Sequence, residues 1–180
     1  MNNEVEFTKV RKVKTPTRAN RHDAGTDFYI PDYDLSFVKV MQKVNANNRI
    51  EYQTVINENG ETDLEIHIMP SSQILIPSGI KVNIKDKNTA LIAYNKSGVA
   101  TKYSLLVGAC VIDADYRGEI HINLHNVSSK PVVIRTGQKV AQFIHQPIID
   151  TQWSEIDNTA FDNLESTDRG NGGFGSSGDK

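Results

Sequence analysis

The chain has 180 residues with 20 Lys and Arg against 22 Asp and Glu, a formal charge of −2 and a pI near 6.2. That balance argues against a protein that coats nucleic acid through many phosphate contacts, so any phosphate ligand is expected to be small. The single cysteine, Cys110, excludes an internal disulfide framework and every multi-cysteine metal site. Residues 1–13 carry charge throughout and no run approaches the ~20 apolar residues of a membrane span, so one cytoplasmic domain without a signal peptide is expected.

In chain order the sequence reads as short strands separated by turns, with little that predicts helix. Val5 to Val13 alternates apolar and polar residues as a half-buried strand does, and Thr15 to Asp23, with Pro16, is a loop. Basic residues crowd this beginning and acidic residues crowd Asp150 to Asp168; the two regions could pair, or each could be a solvated face. DAGTDFYIP, Asp23 to Pro31, joins a small-residue turn to an apolar strand, where Asp27 reads first as a turn-capping carboxylate.

The stretch from about Phe37 to Ser72 reads as an elaboration. RIEYQTVI (Arg49 to Ile56) and DLEIHIM (Asp63 to Met69) both alternate around Asn59-Gly60, which predicts a β-hairpin. Such a hairpin can close on itself, so its replacement by a short turn is expected to spare catalysis. Ile74 to Ile84 reads as strand, turn at Pro77 to Gly79, and strand, followed by Leu91 to Tyr94. In NKSGVATK, residues 95–102, Lys96, Ser97 and Gly98 read as a small anion nest or as ordinary turn chemistry.

CVIDADYRGEIHINLHN, Cys110 to Asn126, places Asp113 and Asp115 two residues apart, on one side if the backbone is extended. A carboxylate kept ionised near Arg117 could accept a proton from water as a general base, and a surface Asp–Arg pair closing a hairpin is the alternative. Thr136 to Ile148 reads as a turn and a buried strand with Gln142 facing away from Ala141 and Phe143. RGNGGFGSSG, Arg169 to Gly178, holds five glycines in ten residues. It reads as a phosphate cradle with Arg169 suited to fork onto phosphate oxygens, or as a disordered Gly/Ser tail.

Five short motifs therefore stand in one order: AGTDF, NKSG, VIDADYRGE, TGQKVAQ and RGNGGFGSSG. Together they resemble the trimeric all-β dUTP pyrophosphatase (dUTPase) family, in which cellular, viral and phage members occur. The resemblance implies a jelly-roll-like β-barrel over residues 1–150 with a hairpin inserted at about 45–70, a polar connector over 151–168 and a glycine-rich arm over 169–180. It implies a homotrimer with exchanged C-terminal arms that hydrolyses dUTP to dUMP and pyrophosphate with Mg²⁺, in the host cytoplasm for a viral member. Asp113 matches the water-activating aspartate, and Tyr116 the tyrosine beneath the deoxyribose. Lys96, Ser97, Gly98 and Gln142 match phosphate contacts, Lys96 standing where the family usually has arginine. Asp27 matches the residue that holds Mg²⁺ through water. Arg169, Gly173, Gly175 and Ser176 match the γ-phosphate cradle, and Phe174 the aromatic lid over uracil. A dCTP deaminase-like enzyme and a regulatory protein binding a repressor-type partner through the hairpin are the alternatives.

Overall fold

The computed structural model describes residues 4–172. The chain divides into a unit over residues 1–149 and a second over 150–180. The first unit carries β1 (Val5–Lys9), β2 (Thr26–Tyr29), α1 (Leu35–Val44), β3 (Ile50–Ile56), β4 (Thr62–Ile68), β5 (Gln73–Pro77) and β6 (Ile80–Ile84). It continues with β7 (Thr89–Tyr94), α2 (Ser97–Tyr103), β8 (Leu105–Val107), β9 (Val111–Ile112), β10 (His121–Asn126), β11 (Val132–Arg135) and β12 (Lys139–Pro147). Among its described residues the second unit holds one short helix, α3 (Asn158–Asp162), capped by the Asp157 carboxylate accepting from the Ala160 N–H at 2.8 Å.

The strands form four antiparallel sheets in the orders β1-β6, β5-β10-β8, β11-β4-β3 and β2-β12-β7-β9. Consecutive strands β5 and β6 do not pair with each other: β5 pairs with β10 and β6 with β1. The change of sheet occurs at Ser78-Gly79, where Gly79 takes φ +76°, a conformation that costs glycine little. Chain crossings of this kind make the fold all-β and jelly-roll-like, and the inward residues of the sheets (Ile66, Ile68, Ile74, Ile76, Ile122, Leu124, Ile134 and Phe143 among them) merge into one apolar cluster.

Two helices replace expected non-helical chain. α1 begins at Asp34, whose carboxylate accepts from the Ser36 N–H at 2.8 Å, and buries Phe37 and Met41, four residues apart on one face. α2 forms where NKSG reads as a turn, and it ends at Ser104 in the left-handed region, φ 52°.

The hairpin forms in the register that alternation predicts, with Ile50 opposite Ile68, Tyr52 opposite Ile66 and Thr54 opposite Leu64. It is not detachable. β4 also pairs with β11, and its Leu64, Ile66 and Ile68 are exposed by 1% or less, so one strand of the hairpin is a wall of the core. The expectation that residues 49–69 can be replaced without loss is therefore corrected.

Candidate active site

Three of the sequence motifs converge on the sheet β2-β12-β7-β9. Asp27 on β2 lies directly opposite Gln142 on β12, and directly opposed residues share a face. The Asp27 residue is only 3% exposed. Its carboxylate is held by two ammonium groups, Lys96 on Oδ1 and Lys139 on Oδ2, the latter at 2.9 Å. Burial by itself would raise the Asp27 pKa, but the hydrogen bonds and charges of Lys96 and Lys139 outweigh it and hold the carboxyl below its ordinary value. Lys139 is raised in turn, chiefly by its hydrogen bond to Asp27.

Gln142 donates from Nε2 to the Asn95 carbonyl at 2.9 Å, tying β12 to the start of the Lys96-Ser97-Gly98 turn. Asn95 accepts from the Val107 N–H through its own side chain at 2.6 Å, which links that turn to β8. Gly25 is required here by space: a Cβ would stand 2.3 Å from Gln142 Oε1 and 2.9 Å from its Cβ. Ser97 and Gly98 are exposed, and a Cβ on Gly98 would meet open space. The cluster thus presents cations and free donors around one buried carboxylate.

The motif around Asp113 departs from an extended strand. The Tyr116 N–H donates to the Asp113 carbonyl at 3.1 Å, closing a turn over 113–116, so the extended backbone that would put Asp113 and Asp115 on one side is absent here. Asp115 is bound to Lys87 at 2.6 Å, and its pKa is lowered first by that hydrogen bond. Among the described residues Arg117 does not pair with a carboxylate side chain: its NH1 donates to the carbonyls of Ala114 at 2.8 Å and Tyr116 at 3.0 Å. Asp113 is exposed, and among the described residues its carboxylate has no hydrogen-bond or ion-pair partner. Tyr116 donates its hydroxyl to the Glu119 carbonyl at 3.0 Å, and its ring lies across Gly118, where a Cβ would stand 2.3 Å from the phenol oxygen. Arg11 forks onto the Glu119 carboxylate at 2.8 and 3.0 Å and braces this turn from below.

Within one chain these two groups of residues lie apart. β9 runs antiparallel to β7 with Ile112 opposite Leu91, so Asp113 falls beside Ala90, while Lys96 follows the far end of β7. Six residues of extended chain separate Ala90 from Lys96, about 20 Å. Arg169 belongs to the second unit, where its Nε donates to the Gly172 carbonyl at 3.0 Å. Gly173, Phe174, Gly175 and Ser176 lie outside the described residues.

Among the described residues no group of three His, Cys, Asp or Glu side chains could enclose a metal ion. With both oxygens engaged by lysines, Asp27 suits a metal only through an intervening water. No helix among the described residues is long and apolar enough to cross a membrane.

An all-β, jelly-roll-like fold with a cationic cluster built from three motifs, and with Asp113 unpartnered among the described residues beyond the other end of β7, suits a protein that takes a small anionic ligand. A family model for dUTPase matches residues 61–178, and the chain belongs to the dUTPase family. The match begins in the turn before β4, so α1 and β3 precede it, as does AGTDF with Asp27. A deoxyuridine 5′-triphosphate nucleotidohydrolase from Shewanella piezotolerans is 36% identical over 121 residues, 66% of this chain and 76% of the relative. One of the same name from Actinobacillus pleuropneumoniae is 34% identical over 119 residues, 65% of this chain and 76% of the relative. Among solved structures, a mutant dUTPase of Staphylococcus bacteriophage 80alpha with dUpNHpp superposes with a TM-score of 0.69 at 19% identity, covering 98% of this chain and 99% of that one. The native EIAV dUTPase gives a TM-score of 0.58 at 21% identity, covering 86% of this chain and 98% of that one. A mutant dUTPase from phage phi11 of S. aureus, described as coordinating a structural Mg(II) ion, gives 0.62 at 17% identity, with 87% of this chain and 98% of that one covered.

Proposed function

We propose that this protein hydrolyses dUTP to dUMP and pyrophosphate, by attack of water on the α-phosphorus, in a site assembled from neighbouring copies of the chain. Asp113 is the general base: it is exposed to solvent and free of the cation that occupies Asp115. Tyr116 is fixed across Gly118, and its role in this reading is to lie beneath the deoxyribose, where a 2′-hydroxyl would clash with the ring. Lys96, Ser97, Gly98 and Gln142 bind the phosphates. Arg169, Gly173, Gly175 and Ser176 close on the γ-phosphate, and Phe174 covers the uracil.

A loose phosphoryl-type transition state needs charge stabilisation and positioning more than covalent help, and a cationic cluster facing a single base supplies both. Mg²⁺ supplies neutralisation of phosphate charge when bound with the triphosphate, and Asp27 is the carboxylate suited to hold it through water.

The observation that carries this reading is the division of the motifs along β7. Asp113 beside Ala90 and the cluster, whose Gln142 stands opposite Tyr94 and whose Lys96 lies two residues further on, are about 13 to 20 Å apart along β7, too far to act on one phosphate, and a homotrimer would bring one copy's Asp113 to another copy's cluster. The test is pyrophosphate release measured across dUTP, dTTP, dCTP and UTP. Release from dUTP with UTP poorly used is expected; ammonia release from dCTP would overturn the assignment in favour of deamination.

A further inference from the structure

Lys139 has no role in the reading above, yet three features of the fold converge on it. The first is a β-bulge. Lys139 and Gln142 are three residues apart, so simple alternation would put them on opposite faces of β12. A register shift between Lys139 and Ala141 inserts Val140 as an extra residue and brings Lys139 opposite Tyr29 while Gln142 stays opposite Asp27. Both side chains then stand on the face of Asp27.

The second feature is how Lys139 is held. Its Nζ lies 2.9 Å from Asp27 Oδ2 and 5.9 Å from the centre of the Tyr29 ring, so a carboxylate and an aromatic face fix it in place. The third is the count of charges. One ammonium neutralises one carboxylate, but Asp27 has two, and the trio carries a net positive charge. A carboxylate as buried as Asp27 cannot lose its only counter-charge without a large penalty.

These features answer a problem that Lys96 poses. As a phosphate ligand it must turn from Asp27 toward the substrate, and if it were the sole partner, binding would leave the buried carboxylate with no cation in direct contact, because a metal held through water does not touch it. We propose that Lys139 is a positioning residue that neutralises Asp27 on its own and so lets Lys96 leave that carboxylate for the triphosphate. Lys139 need not touch substrate. The bulge on β12 exists, on this view, to place the second cation. This rests on Lys96 being a phosphate contact, and the test separates the two claims.

The full chain is made with Lys139→Met, Lys139→Gln, Lys139→Arg, Lys96→Met and Asp27→Asn, and with Asp27→Asn combined with Lys139→Met. Each variant is assayed for kcat and KM with dUTP and for binding of the imido analogue dUpNHpp. Lys139→Met is expected to raise KM and the analogue Kd about tenfold or more, the scale of an uncompensated buried charge, with kcat within about threefold. Lys139→Gln should match Lys139→Met, because charge and not hydrogen bonding is at issue, and Lys139→Arg should bind nearly as the parent does. If Lys139→Met fails to fold, the Gln and Arg variants carry the same contrast. In the Asp27→Asn background Lys139→Met should change KM by less than about twofold, since a neutral amide has no hold on Lys96.

An undiminished penalty in that background would mean that Lys139 contacts phosphate itself, and would overturn the proposal. A lowered melting temperature with KM and Kd unchanged, or a Gln variant as good as the parent, would overturn it too. Lys96→Met with normal KM and Kd would overturn both the proposal and the phosphate role of Lys96. Lys96→Met impaired with Lys139→Met normal would overturn the proposal alone.

Discussion

Asp113 and Asp115 are chemically unlike although they are two residues apart. Lys87 occupies Asp115 at 2.6 Å, whereas Asp113 keeps an exposed carboxylate with no partner among the described residues. Asp113→Asn is therefore expected to lower kcat by about 10²- to 10⁴-fold with the melting temperature unchanged, the usual worth of a positioned base. Asp115→Asn should do far less, and equal losses at both positions would mean that the pair acts as a unit. Asp27 gives a prediction of a different kind. Its folded pKa is depressed, so it adds stability that is fully present above its unfolded pKa and is lost as pH falls through the lower folded value. Below about pH 4 the parent's melting temperature should fall more steeply with pH than that of Asp27→Asn, and parallel slopes would remove Asp27 from the acid response. The five motifs single out Asp27, Lys96, Gln142, Asp113 and Tyr116 as candidates, and of these Asp27, Lys96 and Gln142 meet in one cluster. Lys139 stood inside TGQKVAQ and was passed over because a bulge cannot be read from alternation. Whether Asp113 and Asp115 share a side depends on an extended backbone, and the turn closed by the Tyr116 N–H, which alternation does not reveal, removes that condition.

At the scale of elements, the hairpin was legible because Asn59-Gly60 and two alternating runs determine its register locally. What it packs against was not legible, because the pairing of β4 with β11 joins residues more than sixty positions apart. α1 is not legible in a stretch that reads only as an elaboration, because Asp34 and the Phe37–Met41 spacing, which set the helix, are weak signals until a core is present to receive that face. The burial of β4 gives one expectation: replacing residues 49–69 with a short turn removes Leu64, Ile66 and Ile68 together. At about 2–5 kcal/mol for each large apolar side chain lost from a core, the product should not fold. A soluble trimer with normal melting would show that β4 is dispensable after all. The same hairpin offers a gentler probe. The Tyr52 hydroxyl is buried with no hydrogen bond of good geometry among the described residues; Asn45 stands close enough to lower its pKa, but Asn45 is committed to Met41, Asn48 and Leu75, and burial outweighs it and pushes the pKa up to about 12. Removing an unsatisfied buried hydroxyl while keeping the ring should stabilise, so Tyr52→Phe is expected to gain about 1 kcal/mol in a denaturant melt. A loss of similar size would mean that the hydroxyl is satisfied through water.

At the scale of the whole molecule, β7 holds Asp113 and Lys96 apart within one chain, and residues 150–168 form a long connector before Arg169. Nineteen residues span at most about 60 Å when extended. These two facts allow a decisive mixing experiment. One inactive protein carries Asp113→Asn with its arm intact; the other keeps Asp113 but is truncated before Arg169. The two are unfolded together and reassembled, and the product is confirmed trimeric by light scattering. If one copy supplies the base and a different copy supplies the arm, a site is complete only when its base comes from the truncated protein and its arm from the Asn variant. In an equal random mixture each condition holds half the time, so about a quarter of the parent activity per site should return in a closed ring of three. If each arm served the Asp113 of its own chain, every site would lack one or the other group and no mixture could recover. A trimeric mixture as inactive as its two parents would therefore exclude the exchange of arms in this protein, while leaving the assignments of Asp113 and Arg169 to be judged by their single variants.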